Sequence, residues 1–336
     1  RMSDASALPF RIIARTRVRA LHLGRDGSTY GCVRQTIVRS SDHGATWSPV
    51  TRIPRRGVRR VLGATRLGAR LARYEVRACV QLDGGGLVAS NREGVYYARP
   101  GDRVMRPSRM EVGQQALSPP MCVYAGPGNR VVWGEYDSRD NHGKPVRVFV
   151  SDDGGATHHV AHVFEGGSIR HVHNFLFDTR LNKYWVLAGD VRHEPGIGLM
   201  SSDLKEVEWI GRGSQVYRAV EVFDFGDRLV YGTDSELEPN RIVSLDKSSG
   251  KVDEIQSIEG SCIYACRFGK YYAITTSVEP SGVNRSRMAA LYLSTDGATW
   301  TRVFQAEKDR WHQVLFQFGS LVLPRGASED ETIVLS

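Results

Sequence analysis

The sequence predicts an all-β fold of repeated four-stranded antiparallel units, a seven-bladed β-propeller. A turn sequence, Ser40-Ser41-Asp42-His43-Gly44-Ala45-Thr46-Trp47, returns over Ser151–Thr157 and Ser294–Trp300, and more faintly over Ser201–Trp209. Self-similarity at a spacing of tens of residues marks a chain built from stacked supersecondary units. Strand-length apolar runs bounded by Gly, Asp and Asn sort into groups of four around these turns. The 35 glycines suit a chain that turns often.

Each unit is read as strands A, innermost, to D, outermost. The first takes Val18–Leu23, Thr29–Val33, Thr36–Ser40 and Pro49–Ile53. The second takes Val76–Leu82, Gly86–Ser90, Gly94–Ala98 and a weak fourth strand near Arg109–Val112. The third takes Met121–Ala125, Arg130–Gly134, Arg147–Ser151 and His159–Phe164; the fourth takes His173–Phe177, Lys183–Ala188, Gly198–Ser201 and Val207–Ile210. The fifth takes Ala219–Phe225, Arg228–Gly232, Arg241–Leu245 and Val252–Ile258; the sixth takes Cys262–Phe268, Lys270–Thr276, Ala289–Ser294 and Thr301–Gln305. Gln313–Phe318, Leu321–Pro324 and Thr332–Leu335 leave the last unit one strand short. Phe10–Ala14 supplies that strand if it adds beside Thr332–Leu335, closing the ring and protecting both edges. The count is then seven blades of roughly 47 residues in one domain over 1–336. Six blades is the alternative.

Charge is concentrated. Between Arg52 and Arg73 lie eight arginines and no acid, and the rest of the chain balances at 37 basic against 37 acidic residues. Val58, Val61, Leu62, Leu67 and Leu71 allow part of this insertion to form a short amphipathic helix. Arginine forks match carboxylates and sulfates, so an anionic partner is expected. The stretch lacks the interleaved aromatics of a nucleic-acid surface, so no nucleic-acid partner is expected. No apolar run approaches the ~20 residues that span a bilayer. The five cysteines lack Cys-x-x-Cys spacing and read as buried free thiols.

The repeated turn has a physical content. Asp accepts turn N–H groups, Gly takes the positive-φ position, Ser or Thr ties the ends, and Trp plugs the adjoining sheet. This pattern resembles the Asp-box, or bacterial neuraminidase repeat, of sialidase-like glycosyl hydrolases, and the chain is also similar to seven-bladed propeller polysaccharide lyases. The resemblance implies a carbohydrate-active propeller. Phe10-Arg11-Ile12-Ile13 is similar to the Phe-Arg-Ile-Pro motif that supplies a sialidase arginine, but the Pro is missing.

Topology separates scaffold from site. The turns joining C to D lie on one rim, and the B-to-C and D-to-A connections emerge on the other, around the channel. That second face collects His173, Asp190, Arg218, Asp234, His312, Tyr217 and Glu135 as catalytic candidates. Arg170, His171, Trp311, Gln313, His193 and Arg139 join them as substrate-binding candidates. Convergent polar groups in a concavity are the default binding-site hypothesis. Two reactions suit them: hydrolysis of an acidic polysaccharide by paired carboxylates such as Asp190 and Asp234, or β-elimination at a uronate using His173, His312 or Tyr217 with Arg218 and Arg170. A non-catalytic glycan- or protein-binding propeller is the rival class. No cofactor is expected; a divalent metal on His171, His173 and His312 is the alternative, since residues i and i+2 of a strand face one side.

Overall fold

The computed structural model describes residues 10–54, 75–111, 118–137, 143–309 and 319–336. Within them the chain is all-β, folded as six successive antiparallel meanders. Sheet 1 holds β1 (Arg19–Leu23), β2 (Thr29–Val33), β3 (Thr36–Ser40) and β4 (Ser48–Arg52). Sheet 2 holds β5 (Ala78–Gln81), β6 (Leu87–Asn91), β7 (Gly94–Ala98) and β8 (Arg106–Pro107). The chain then crosses as β9 (Arg109–Met110) to sheet 3, which holds β10 (Tyr124–Ala125), β11 (Val131–Gly134), β12 (Val146–Ser151) and β13 (Thr157–Phe164). Sheet 4 holds β14 (Val172–Asp178), β15 (Lys183–Ala188), β16 (Gly196–Met200) and β17 (Val207–Arg212). Sheet 5 holds β18 (Phe223–Asp224), β19 (Arg228–Gly232), β20 (Arg241–Asp246) and β21 (Val252–Ser257). Sheet 6 holds β22 (Ser261–Phe268), β23 (Tyr271–Val278), β24 (Met288–Ser294) and β25 (Thr301–Glu307). Two short strands follow, β26 (Gly319–Ser320) and β27 (Arg325–Ser328).

The middle strands explain why their sequences read as unbroken apolar runs. Every residue of β6 and β16 is buried, because neighbouring sheets cover both faces. Five apolar clusters join successive sheets, from Leu21, Ile37 and Cys79 between sheets 1 and 2 to Val230, Ile274 and Trp300 between sheets 5 and 6. A sixth sets Leu23 of β1 against Phe268, Leu291 and Leu323, bringing the last sheet back to the first.

The end of the chain departs from the sequence-based expectation. A seventh four-stranded blade is absent among the described residues; its first strand, Gln313–Phe318, lies outside them. Phe10–Ala14 and Thr332–Leu335 form no strand pair. Ile12 and Ile13 are both exposed, so the N-terminal run lacks the one-sided burial that fixes a strand's register. Ile333 and Leu335 instead pack into the cluster between sheets 6 and 1. The joint is β27, which pairs in parallel with β1 on one side and β22 on the other. The weak fourth strand of unit two also differs: Pro107 removes a ladder donor and ends β8, and Arg109–Met110 pairs with sheet 3. The arginine-rich insertion beyond Pro54, with the short helix expected in it, lies outside the described residues.

All four repeated turns join the third strand of a sheet to the fourth. In sheet 3, Thr157 N and Oγ1 donate to Asp153 at 2.9 and 2.7 Å, and Ser151 Oγ donates to Asp153 at 2.8 Å. Equivalent bonds surround Asp42, whose pKa the Thr46 hydroxyl and amide push down to about 2. Trp47 and Trp300 close their turns by donating to the Gly44 and Gly297 carbonyls. Gly155 has φ +89°, and a Cβ there would lie 2.5 Å from Val88 Cγ2 of sheet 2. Gly155→Ala is therefore expected to cost about 1–3 kcal/mol. An unchanged urea midpoint would remove this turn from the list of inter-sheet contacts.

All five cysteines are buried and unpaired. Burial pushes the Cys32 thiol up to about 12 and raises Cys122. A thiol reagent should label none of them in the native protein and all five after denaturation, in the order of global unfolding. Fast native labelling at one cysteine would show that its sheet opens locally.

Candidate active site

The second-to-third and fourth-to-first connections of sheets 3 to 6 build one buried polar centre. Glu135-Tyr136-Asp137 follows β11, Asp190 follows β15, Asp234 and Glu236 follow β19, and Glu279 follows β23. Arg170 and His171 enter β14, and Arg218 enters β18 after a helical turn over Gln215–Tyr217.

Local backbone features aim these side chains. The ladder between β14 and β15 shifts register around His173, a bulge of the kind that redirects a side chain. Gly189 has φ +79°, and a Cβ there would lie 2.3 Å from the Glu194 carbonyl oxygen. Only glycine allows that turn, which delivers Asp190 onto both histidines.

Asp190 is the hub. Oδ1 lies 2.9 Å from His173 Nε2 and 3.2 Å from Arg218 Nε, and Oδ2 lies 3.0 Å from His171 Nε2 and 3.7 Å from Arg170 Nη1. The Asp190 carbonyl accepts from Gln215 Nε2 at 2.8 Å. Burial acts to raise the Asp190 pKa, but the His171 and His173 contacts hold it well below the ordinary carboxylate value. Asp234 sits 3.7 Å from the same Arg218 Nε, and Glu236 approaches the other side of the guanidinium at 4.0 Å. Burial pushes the Asp234 carboxyl up to about 6 despite Arg218. Burial and the Asp234 charge push Glu279 up to about 7. Two carboxyl groups are thus raised toward neutral pH, beside one that stays ionised.

An aromatic–cationic stack adjoins the hub. Tyr136 stacks on His171 with ring centroids 4.0 Å apart, and the Arg77 guanidinium lies 5.0 Å over the Tyr136 ring. Arg77 donates to the Pro119 carbonyl, and among the described residues no carboxylate pairs with it. Burial lowers its pKa, with the Arg19 charge adding to the effect.

The structure therefore brings together His171, His173, Asp190, Arg170, Arg218 and Asp234. Glu135 and Tyr217 have other employment. The Glu135 carboxylate accepts from the Arg147 amide at 3.0 Å and pairs with its guanidinium at 3.4 Å. Tyr217 lays its ring over Gly211 and donates to the Gly250 carbonyl, on the flank between sheets 4 and 5. His193 is exposed on the turn after Asp190. His312, Trp311, Gln313 and Arg139 lie outside the described residues. The sequence analysis did not name Glu279, although it follows the second strand of its sheet as Asp190 and Asp234 follow theirs. Tyr136 and Arg77 carried no signal of their own; only the fold stacks them.

Fold and centre define a class: an all-β, propeller-like protein with a buried polar site where its sheets converge. No known family profile matches the chain, and no curated protein matches its sequence. Solved structures do resemble it. An ancestral GH74 enzyme is similar with TM-score 0.53 at 13% identity, over 89% of this chain and 39% of that one. The chain thus spans well under half of that enzyme. The WD40 β-propeller domain of Doa1 is similar with TM-score 0.51 at 11% identity, over 90% and 86% of the two chains. A structure titled as a putative 6-phosphogluconolactonase from Bacteroides uniformis is similar with TM-score 0.52 at 10% identity, over 86% and 85%. At these identities the likeness is one of fold, and the fold is that of a β-propeller.

Proposed function

We propose that this chain is a six-bladed, Asp-box β-propeller enzyme that hydrolyses glycosidic bonds in an acidic, uronate-containing polysaccharide. The observation that carries this reading is the pair of carboxyls raised toward neutral pH, Asp234 and Glu279, beside Arg77, an arginine with no carboxylate partner among the described residues. Glycoside hydrolysis needs a carboxylic acid to protonate the leaving oxygen and an ionised carboxylate to assist water. Glu279 is the general acid in this reading, and the half-exposed Glu236 is the base. Arg77 receives the sugar carboxylate, and Tyr136, stacked between it and His171, fixes its place. Asp190 anchors the site, since both its oxygens are already engaged. Elimination is less favoured because both His173 nitrogens face protein groups: Nδ1 lies 2.8 Å from the Ala219 carbonyl oxygen and Nε2 lies 2.9 Å from Asp190.

The test is incubation with a panel of uronate-containing polysaccharides. New reducing ends without the absorbance of an unsaturated uronate are expected. Unsaturated products would assign elimination instead. Glycan binding without turnover would make the chain a non-catalytic propeller.

A further inference from the structure

We infer that His171, His173 and Asp190 form a binding site for a divalent first-row transition metal, whatever the glycan on which the propeller acts. The tautomers come first. His171 Nδ1 lies 3.0 Å from the Asp137 carbonyl oxygen and His173 Nδ1 lies 2.8 Å from that of Ala219. A carbonyl only accepts, so each Nδ1 carries the hydrogen, as it does in metal-ligating histidines oriented by a backbone carbonyl. In the neutral rings each Nε2 then presents a bare lone pair.

Those lone pairs converge. The two Nε2 atoms are 3.0 Å apart, and they lie 3.0 and 2.9 Å from the two oxygens of Asp190. One proton can bridge only one of these contacts and leaves another lone pair facing the carboxylate. Two protons would place two imidazolium rings 3.0 Å apart in a buried site. A cation satisfies all the acceptors together. Ligand atoms held ~2.1 Å from a metal at ordinary coordination angles lie about 3.0–3.4 Å from one another; the spacings here, 2.9–3.0 Å, stand at the short end of that range and need only a small outward shift to admit the ion. Two imidazoles with one carboxylate suit zinc and its first-row neighbours better than calcium or magnesium.

The surroundings fit as an outer shell. Among the described residues, buried Asp234 Oδ1 makes no hydrogen bond, and Arg218 Nε meets carboxylate oxygens at 3.2 and 3.7 Å. Asp190, Asp234, Glu236 and Glu279 all act on Arg218, so with Arg170 the site sets four carboxyl groups against two guanidiniums. Asp190 takes the third ligand position that the sequence pattern had offered to His312.

The test uses the whole chain, stripped with a chelator and titrated calorimetrically with Zn²⁺, then with Co²⁺ followed by visible absorption. One equivalent per chain is expected, with affinity at least tenfold weaker in Asp190→Asn and His173→Gln. Those variants could fold poorly, so X-ray absorption on zinc-loaded wild-type protein reads the ligands directly. Two imidazole nitrogens with a carboxylate oxygen are expected. Sub-stoichiometric binding by wild type, unchanged affinity in a folded His173→Gln, or a coordination shell without two imidazoles would overturn the site. None of these outcomes bears on the glycan assay, so the two readings fail separately.

Discussion

Arg218→Ala is expected to destabilise the protein by about 3–5 kcal/mol at pH 8, the cost of leaving buried acids without their counter-charge. Arg218 is nearly fully buried and stands between Asp190 at 3.2 Å and Asp234 at 3.7 Å. Both acids are buried, so solvent cannot take its place. The loss should shrink at pH 5, because Asp234 is already raised to about 6 with the guanidinium present and would take up a proton without it. Arg218→Lys should recover part of the loss, since it restores charge but not the planar fork that meets two carboxylates at once. Urea unfolding at both pH values measures this. A loss under 1 kcal/mol at pH 8 would mean that the acids reach water, and the description of a buried hub would fall.

Glu279→Gln is expected to lower kcat by about 10²–10⁴-fold, the usual contribution of general acid catalysis, with little change in KM. Its carboxyl, pushed up to about 7, is protonated over the range in which a hydrolase acid must donate. Wild-type activity should therefore fall as pH rises through about 7, and the residual activity of Glu279→Gln should lack that alkaline limb. The same shifts affect stability. Asp234 and Glu279 are raised from ordinary values of 3.8 and 4.5 to about 6 and about 7, so between those limits the folded state binds more protons than the unfolded one. Their contribution is complete below about pH 4 and is lost as pH rises through about 7. Asp234→Asn should flatten part of that slope. A slope unchanged in Asp234→Asn, with an alkaline limb retained in Glu279→Gln, would remove both groups from the proton chemistry.

The sequence by itself determined the local elements and their order. Alternation and unbroken apolar runs located the strands of sheets 1 and 3 to 6 within a few residues, because a strand covered on both faces admits little else. The turns at Asp42, Asp153, Asp203 and Asp296 were legible because each is closed by residues within a few positions of one another. Meander topology brought His173, Asp190, Arg218 and Asp234 to one side of the ring, and in the structure the four form one buried cluster. The tertiary structure alone decided how the chain ends and what chemistry the mouth holds. Strand β27 inserts between β22 and β1 through parallel pairing, and its contact with β1 joins segments some 300 residues apart, which no local pattern encodes. The stack of Arg77 on Tyr136 on His171, and the two bare imidazole nitrogens facing one carboxylate, depend on burial and on angles between sheets. Protonation and ligation are set by those long-range distances, which residue order does not carry.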